Sequence, residues 1–149
     1  MARSARRRSN LRAACTRTFV SAAVATAIAP FGAAPQASAA GSLPDRVCHF
    51  AWWRGDREVK ETIRCAAHRW VVSGGARKAL HVADCESGFD PTARGNGYGG
   101  VYQHLISAWP DRAATFGFPD ASVFNGRANS IVAVRMAHRS GWKPWGNCA

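Results

Sequence analysis

The residue with the strongest case for chemistry is Glu86, which stands near the end of a predicted helix and directly before a glycine-rich stretch. The negative end of a helix dipole disfavours a carboxylate, and an apolar wall formed by Phe89 and nearby tryptophans would raise the pKa of this carboxyl further. A carboxyl that stays protonated near neutral pH can donate a proton to the leaving oxygen of a glycosidic bond. Glu86 is therefore a candidate general acid, but its placement alone favours the alternative, a solvated acid at a helix end, because carboxylates are common there; the residues around Glu86 change this balance.

Candidates for a second carboxylate are four aspartates: Asp84, Asp90, Asp111 and Asp120. Asp90 is nearest, four residues after Glu86. Glycosidases that use two carboxylates hold them about 5–5.5 Å or about 6.5–9.5 Å apart, and Asp90 meets either demand only if the turn at Gly88 directs its side chain back toward Glu86. Three tryptophans are candidates for stacking on sugar faces, with core packing as the expected role of most of them: Trp109, Trp142 and Trp145.

The first 39 residues have the composition of a secretory signal peptide. An arginine-rich start without acidic residues is followed by an apolar run over 19–29 and by the A-x-A cleavage pattern at Ala37-Ser38-Ala39. The alternative is a transmembrane anchor, but prolines and a glycine interrupt the run, and a spanning helix needs about 20 apolar residues. We expect a secreted, extracellular protein.

Removal of residues 1–39 would change the charge of the chain. It would take six of the 20 basic residues and none of the nine acidic ones, which leaves a net charge of +5. This charge suits a polyanionic surface. Nucleic acid is not an expected partner, because no dense stripe of Lys and Arg is interleaved with aromatic residues. The remaining part, about 110 residues, is sufficient for one compact domain, which we expect to be monomeric.

Four of the five cysteines would remain after export: Cys48, Cys65, Cys85 and Cys148. An even number in an oxidising compartment predicts two disulfides, with three possible pairings. The alternative is a zinc site, because four residues have a spacing similar to that of zinc ligands. They are Cys65, His68, His81 and Cys85. Export favours the disulfides, so no metal is expected.

The spacing of apolar residues predicts a mainly α fold. A first helix should begin with Asp56 as its cap, a second should run from about 76 to 86 with Gly88 as its C-terminal cap, and two more are expected over about 105–116 and 127–139. Residues rich in glycine over 90–103 predict a loop or a rudimentary hairpin. The chain is thus divided into a signal peptide over 1–39, an extended N-terminal segment over 40–55 and a domain over 56–149.

Two blocks around Glu86 carry a family resemblance. Residues 86–93 read Glu-Ser-Gly-Phe-Asp-Pro-Thr-Ala, and residues 97–103 read Gly-Tyr-Gly-Gly-Val-Tyr-Gln. The first block matches completely, and the second matches in part, the E-S-x-F-x-P-x-A and G-A-x-G-L-M-Q patterns of the soluble lytic transglycosylases. The helix around Asn129 resembles a third segment of that family, with Ala133 in place of its glycine and Met136 in place of its tyrosine.

Residues 85–88 and 95–100 also resemble the resuscitation-promoting factors, small secreted glycosidases of the cell wall. That family pairs a cysteine directly before the catalytic glutamate with one near the end of the domain. The resemblance therefore implies a Cys85–Cys148 disulfide, and Cys48–Cys65 would then fasten the N-terminal segment to the first helix. Together the two resemblances cover roughly residues 76–145.

The resemblance implies a small, mainly α domain of the α+β lysozyme-like kind. It implies that Glu86 is the general acid and base, that Ser87 supports it and that Gln103 lines the sugar cleft. Asn129 would also belong to the substrate-binding site. Because Met136 replaces the family's tyrosine, Tyr98 or Tyr102 would have to supply the missing hydroxyl.

The implied activity is cleavage of the β-1,4 bond between N-acetylmuramic acid and N-acetylglucosamine in peptidoglycan, without a cofactor. A transglycosylase would leave a 1,6-anhydro end on the muramic acid. The expected partners are the glycan strands and the anionic surface of the cell wall. The alternatives are a hydrolytic lysozyme or resuscitation-promoting-factor-like enzyme, and a wall-binding module without activity.

Overall fold

The computed structural model describes Leu43 and residues 46–149, and the predicted signal peptide over 1–39 lies outside this part of the chain. The described part is mainly helical with one small antiparallel sheet, which confirms the mainly α prediction. Its helices are α1 (Asp56–Arg69), α2 (Gly75–Ser87), α3 (Trp109–Thr115) and α4 (Gly126–Ser140), and its strands are β1 (Arg94–Gly95), β2 (Tyr98–Gly99) and β3 (His104–Leu105). Within the described residues, no helix has the length and apolar character needed to cross a membrane.

The core forms where α1 packs against α4 and α2. Val59, Ile63 and Ala66 recur at helical spacing on α1 and are fully buried. Helix α4 is buried over most of its length, from Gly126 to Val134. The apolar stripe of α1 therefore faces a central helix that is enclosed on several sides.

The ends of the helices agree with the prediction in part. Gly88 terminates α2 in the left-handed conformation, with φ 62° and ψ 31°, as expected of a C-terminal cap. Gly55 is the capping residue of α1, so the prediction that Asp56 caps this helix is wrong; Asp56 lies inside the first turn. The predicted helix over 105–116 is divided into a 3₁₀ helix, Ile106–Ala108, and α3.

The N-terminal segment is not extended throughout, because Trp52–Arg54 forms a 3₁₀ helix. The Cys48–Cys65 disulfide joins the segment to α1. The buried Arg127 side chain on α4 also holds it, since Nε and Nη2 donate to the Val47 carbonyl oxygen at 3.0 and 2.9 Å. The segment is thus fastened to two of the core helices.

The second disulfide is Cys85–Cys148, so both pairings agree with the prediction. Two disulfides are typical of a protein that folds outside the cytoplasm. They also contradict the zinc alternative, because the sulfur atoms of Cys65 and Cys85 are bonded to other cysteines and are not available as thiolates.

The predicted hairpin is present, and a third strand extends it. Strand β1 pairs with β2 and β2 pairs with β3, both antiparallel. Asn96 and Gly97 form the two-residue turn between β1 and β2, with φ values of 48° and 82°. Positive φ at both central residues is what a type I′ turn requires, and Asn-Gly is the usual sequence there. The sheet places this turn and the residues after it next to the end of α2.

Candidate active site

The carboxyl of Glu86 lies in the last turn of α2, half-buried in an open cleft of about 440 Å³. Burial raises the pKa of this carboxyl above its usual value of 4.5. The residues that line the cleft are Glu86, Gly95, Asn96, Tyr98, Gln103, Pro144, Trp145 and Asn147. The direction of the pKa shift is that of a general acid, as expected from the sequence.

Two groups of residues line the cleft besides Glu86. We call Gly95, Asn96, Tyr98 and Gln103 the hairpin wall, because they belong to the sheet and its turns. We call Pro144, Trp145 and Asn147 the tail wall, because they belong to the last residues of the chain. The cleft therefore depends on a local hairpin and on a segment that is distant from it in sequence.

Backbone and amide hydrogen bonds fix the hairpin wall. The Gln103 Nε2 group donates to the carbonyl oxygens of Gly100 at 2.9 Å and of Ala93 at 3.2 Å. The backbone N–H of Gly100 donates to the same Ala93 oxygen at 2.9 Å. Gln103 thus lines the cleft, as predicted, and its side-chain NH₂ group is occupied in holding the wall.

Ser87 is not among the residues that line the cleft. Its hydroxyl donates to the Val101 carbonyl oxygen at 2.8 Å. This bond links the end of α2 to the loop between β2 and β3. Ser87 therefore has the supporting role: it fixes the position of the neighbouring Glu86 relative to the hairpin wall.

Asn129, which the resemblance assigned to the substrate-binding site, is fully buried and is not among the residues that line the cleft. Its Oδ1 accepts from the Tyr102 N–H at 2.8 Å, and its Nδ2 donates to the carbonyl oxygens of Gly99 at 3.1 Å and Val123 at 2.8 Å. A single amide on α4 thus satisfies three backbone groups of the hairpin and the loop beside it. Asn129 holds the hairpin wall from behind.

The two tyrosines have different positions. Tyr98 lines the cleft with 43 % of its surface exposed, so it is the tyrosine that is available to a ligand there. Tyr102 is fully buried, and its hydroxyl donates to the Ala79 carbonyl oxygen at 2.9 Å. Met136 packs against the core and does not line the cleft. Of the two candidates from the sequence, the structure retains Tyr98.

The tail wall is held by aromatic packing and by a disulfide. Trp145 lies edge-on to Tyr102, with ring centroids 5.8 Å apart, and its indole N–H donates to the Tyr102 carbonyl oxygen at 2.8 Å. Trp142 stacks on the same Tyr102 ring, with the two ring centroids 6.2 Å apart. The Cys85–Cys148 bond then joins the tail to the residue before Glu86. These contacts bring Asn147 and Glu86 to the same cleft.

The predicted roles of the tryptophans can now be separated. Trp109 and Trp142 are buried core residues, whose indole N–H groups donate to the carbonyl oxygens of Ala121 and Ser73. Trp145 is only 5 % exposed, yet it contributes to the lining of the cleft. Core packing is therefore the main role, and Trp145 alone of the three also presents an apolar edge to a ligand.

The apolar surface near Glu86 includes a tryptophan, Trp145, as predicted, but it does not include Phe89. Phe89 is buried beneath the Lys60 ammonium group, which lies 4.2 Å from its ring centroid, and it does not line the cleft. Pro144 and Trp145 of the tail wall supply the apolar lining instead. A predicted neighbour in sequence is thus replaced by residues about 60 positions away along the chain.

Glu86 is the one carboxylate among the described residues that line the cleft. Asp90, the nearest candidate for a second carboxylate, is exposed, and its Oδ1 accepts from the N–H and the hydroxyl of Thr92, both at 2.7 Å. This local turn holds Asp90 outside the lining. Asp84, Asp111 and Asp120 do not line the cleft either. The arrangement can therefore supply one carboxyl for proton transfer, together with amide and hydroxyl groups for hydrogen bonding.

Sequence reasoning did not select Asn96, Pro144 and Asn147. One signal could have found Asn147: if Cys148 pairs with Cys85, its neighbour must lie near Glu86. No comparable signal exists for Pro144. For Asn96, the signal was the Asn-Gly turn itself, which places this side chain at the tip of a hairpin that follows α2. In comparisons with known proteins, no family model, no curated protein and no solved structure matches this chain.

Proposed function

We propose that this protein is a peptidoglycan lytic transglycosylase of the lysozyme-like class, exported to the cell wall, with Glu86 as its general acid and base. The observation that carries the proposal is the position of Glu86. Its carboxyl has a pKa raised by burial and lies in an open cleft without a second carboxylate among the described lining residues. The resemblance of residues 86–93 and 97–103 to the soluble lytic transglycosylases supports the substrate class.

The lining suits an N-acetylated sugar. The amides of Asn96 and Asn147 and the hydroxyl of Tyr98 offer hydrogen bonds, and the Trp145 edge offers an apolar contact for a sugar face. The cleft is open rather than enclosed, which a polymer requires because its strand must continue past the site of cleavage. The net charge of +5 expected after export favours attraction to an anionic wall.

A single carboxyl is sufficient for the proposed reaction. Glu86 donates its proton to the glycosidic oxygen while the bond from this oxygen to C1 of the muramic acid breaks. The C6 hydroxyl of the same sugar then bonds to C1 and gives its proton to the Glu86 carboxylate. The ring closes as a 1,6-anhydro sugar, and Glu86 returns to its protonated form. No water is consumed, so no second carboxylate is needed to activate one.

A hydrolytic enzyme of the resuscitation-promoting-factor kind is the second candidate. The Cys85–Cys148 disulfide favours it, because this is the pairing that the resemblance to those factors implies. Glu86 would keep its role as the acid, and water would replace the C6 hydroxyl. The two candidates therefore differ in the product and not in the catalytic residue.

The experiment is mass spectrometry of purified peptidoglycan digested with residues 40–149. We expect muropeptides lighter than the hydrolysed forms by the mass of one water, as the anhydro ring requires. Hydrolysed products alone would replace the first candidate with the second. Intact glycan strands bound by the protein would identify a wall-binding module instead.

A variant pair tests the role of Glu86. Glu86→Gln should lower the rate of glycan cleavage by about 10²–10⁴-fold, the usual contribution of a positioned acid. Asp84→Asn is the matched control, because Asp84 is an exposed carboxylate on the same helix and outside the cleft. We expect this control to keep the wild-type rate. Equal losses in both variants, or full activity of a folded Glu86→Gln protein, would refute the assignment.

A further inference from the structure

The turn of the hairpin wall combines a reactive sequence with a place in the cleft. Asn96 lines the cleft and is followed directly by Gly97. In an Asn-Gly pair, the backbone nitrogen of the glycine can attack the side-chain amide carbon of the asparagine. Ammonia leaves, and a five-membered cyclic imide forms. Glycine makes this attack easiest, because it has no side chain beside the attacking nitrogen and permits a wide range of backbone conformations.

The structure leaves this pair accessible. Both residues are exposed, and a Cβ placed on Gly97 would meet no atom within 4 Å. The flanking strands β1 and β2 are only two residues long each. Their pairing and the bond from the Ile106 N–H to the Gly97 carbonyl oxygen are the backbone connections that hold this turn. Short exposed elements with few contacts open locally at low free-energy cost, and such opening gives the backbone the freedom that ring closure needs.

A second Asn-Gly pair in the same chain is protected. The Oδ1 atom of Asn125 accepts from the Ala128 N–H at 3.0 Å and caps α4. Gly126 is buried, and a Cβ there would lie 3.0 Å from the Trp52 ring and 3.2 Å from the Pro91 Cβ. Ring closure at Asn125 would have to break the cap and disturb this packing. The two pairs are identical in sequence and differ only in what the fold does to them.

We propose that Asn96 is a site of spontaneous deamidation, and that the product places a second carboxylate in the cleft that holds Glu86. The reaction consumes one water and releases one ammonia: the imide forms as ammonia leaves, and water then opens the ring at either of its carbonyl groups. The result is aspartate or isoaspartate at position 96. Both carry a carboxylate where the folded protein first had a neutral amide.

The new charge acts on Glu86, and this part of the inference rests on the proposed function. Besides Glu86, Tyr98 is the one titratable group among the described residues that line the cleft, so the unmodified cleft holds a single carboxylate. A second carboxylate in the same cleft disfavours ionisation of the first and raises the pKa of Glu86 further. The acid then stays protonated to higher pH, and the alkaline limb of the activity profile moves upward.

Peptide mapping tests the modification without reference to activity. The folded protein and the reduced, urea-unfolded chain are incubated at the same pH and temperature, and the conversion of each Asn-Gly pair is followed by mass. In the folded protein we expect Asn96 to convert at least about tenfold faster than Asn125, whose cap must open first. In the unfolded chain the two rates should become similar. Equal rates in the folded protein, or conversion of Asn125 ahead of Asn96, would overturn the proposal.

The effect on the cleft is tested with Asn96→Asp, compared with Asn96→Gly as a neutral control that also accepts a positive φ. We expect the alkaline limb of glycan cleavage to lie at higher pH in Asn96→Asp than in the wild type and in Asn96→Gly. If the alkaline limb lies at the same pH in all three proteins, a carboxylate at position 96 does not influence Glu86. If none of the three cleaves glycan, the proposed function fails, while the mapping result at Asn96 stands by itself.

Discussion

The two walls of the cleft are built in different ways. The hairpin wall comes from residues 95–103, shortly after α2, and hydrogen bonds of its own backbone and of the Asn129 amide hold it. The tail wall comes from residues 144–147, and the Cys85–Cys148 bond and the indoles of Trp142 and Trp145 hold it. The hairpin wall is close to Glu86 in the sequence. The tail wall is separated from Glu86 by more than half the length of the domain and is brought to it by long-range contacts.

This difference indicates which of the two walls can lose its structure while the rest of the domain stays folded. The hairpin wall is continuous with the core through Asn129, so it should persist as long as α4 is folded. The tail wall has no strand or long helix of its own, only a 3₁₀ helix at Lys143–Trp145. Its position depends on a few side-chain contacts and one covalent bond. The tail wall should therefore be the part of the cleft that is released first.

The largest effect is expected from removing that covalent bond. The double variant Cys85→Ser with Cys148→Ser should lose about 4 kcal/mol of unfolding free energy, as the chain-entropy relation gives for a sequence separation of 63 residues. Glycan cleavage should fall as well, because Pro144, Trp145 and Asn147 would no longer be held opposite the hairpin wall. Urea denaturation and a cleavage assay at a temperature where the variant is folded measure the two losses separately.

The matched control is the double variant Cys48→Ser with Cys65→Ser. The separation of these cysteines is 17 residues, so the same relation gives a smaller loss, about 3 kcal/mol. Neither cysteine lines the cleft, and activity of the folded protein should be retained. If both double variants lose activity to the same extent, the comparison between the two walls is wrong, and the disulfides act only through global stability.

A smaller effect is expected from weakening the hairpin wall. Asn129→Ala removes the hydrogen-bond partner of three buried backbone groups: the Tyr102 N–H and the carbonyl oxygens of Gly99 and Val123. The free energy of unfolding should fall by about 3 kcal/mol, because buried polar groups without a partner are costly. Asn125→Ala removes the single hydrogen bond that caps the start of the same helix and should cost about 1 kcal/mol. Thermal unfolding of both variants provides the measurement. A similar loss in the two would show that Asn129 does not hold the wall.

The contrast between the walls also explains which parts of the fold and of the cleft could be predicted from the sequence. Helix spacing and the cap at Gly88 are local signals that predicted α1 and α2, and the glycine-rich stretch over 90–103 predicted a loop or a rudimentary hairpin. The role of Asn129 could not be read from the sequence, because a polar residue beside a site can bind a ligand or hold the backbone, and only the hydrogen bonds distinguish the two. The predicted Cys85–Cys148 pairing placed the end of the chain near α2. The positions of Pro144 and Trp145 could not be predicted, since residues 141–148 have no periodicity and their place depends on long-range packing.

The smallest effect concerns the stability of the fold as pH changes. Because burial raises the pKa of Glu86 in the folded state, the folded protein binds a proton more tightly than the unfolded chain does. Stability from this group is complete below the unfolded pKa and decreases as pH rises through the folded pKa. Glu86→Gln cannot ionise, so its stability relative to the wild type should increase over this same pH range.

The tail wall can be tested in the same experiment. If Trp145 and Pro144 contribute to the burial of Glu86, release of the tail in the Cys85→Ser, Cys148→Ser protein should lower the pKa of Glu86 toward its usual value. The pH-dependent advantage of Glu86→Gln should then be smaller in that background. Urea denaturation at several pH values measures it. An unchanged advantage would assign the burial of Glu86 to the hairpin wall alone.

The glycines of the hairpin determine where the cleft can be redesigned. A Cβ at Gly100 would overlap the Asn129 amide and the Val123 carbonyl oxygen, and one at Gly99 would lie 2.9 Å from the Phe124 ring. A Cβ at Gly95 meets nothing within 4 Å, and this residue lines the cleft. The base of the hairpin is therefore closed to variation, whereas position 95 can accept new side chains. Directed evolution of sugar preference should accumulate changes at position 95 and leave positions 99 and 100 as glycine.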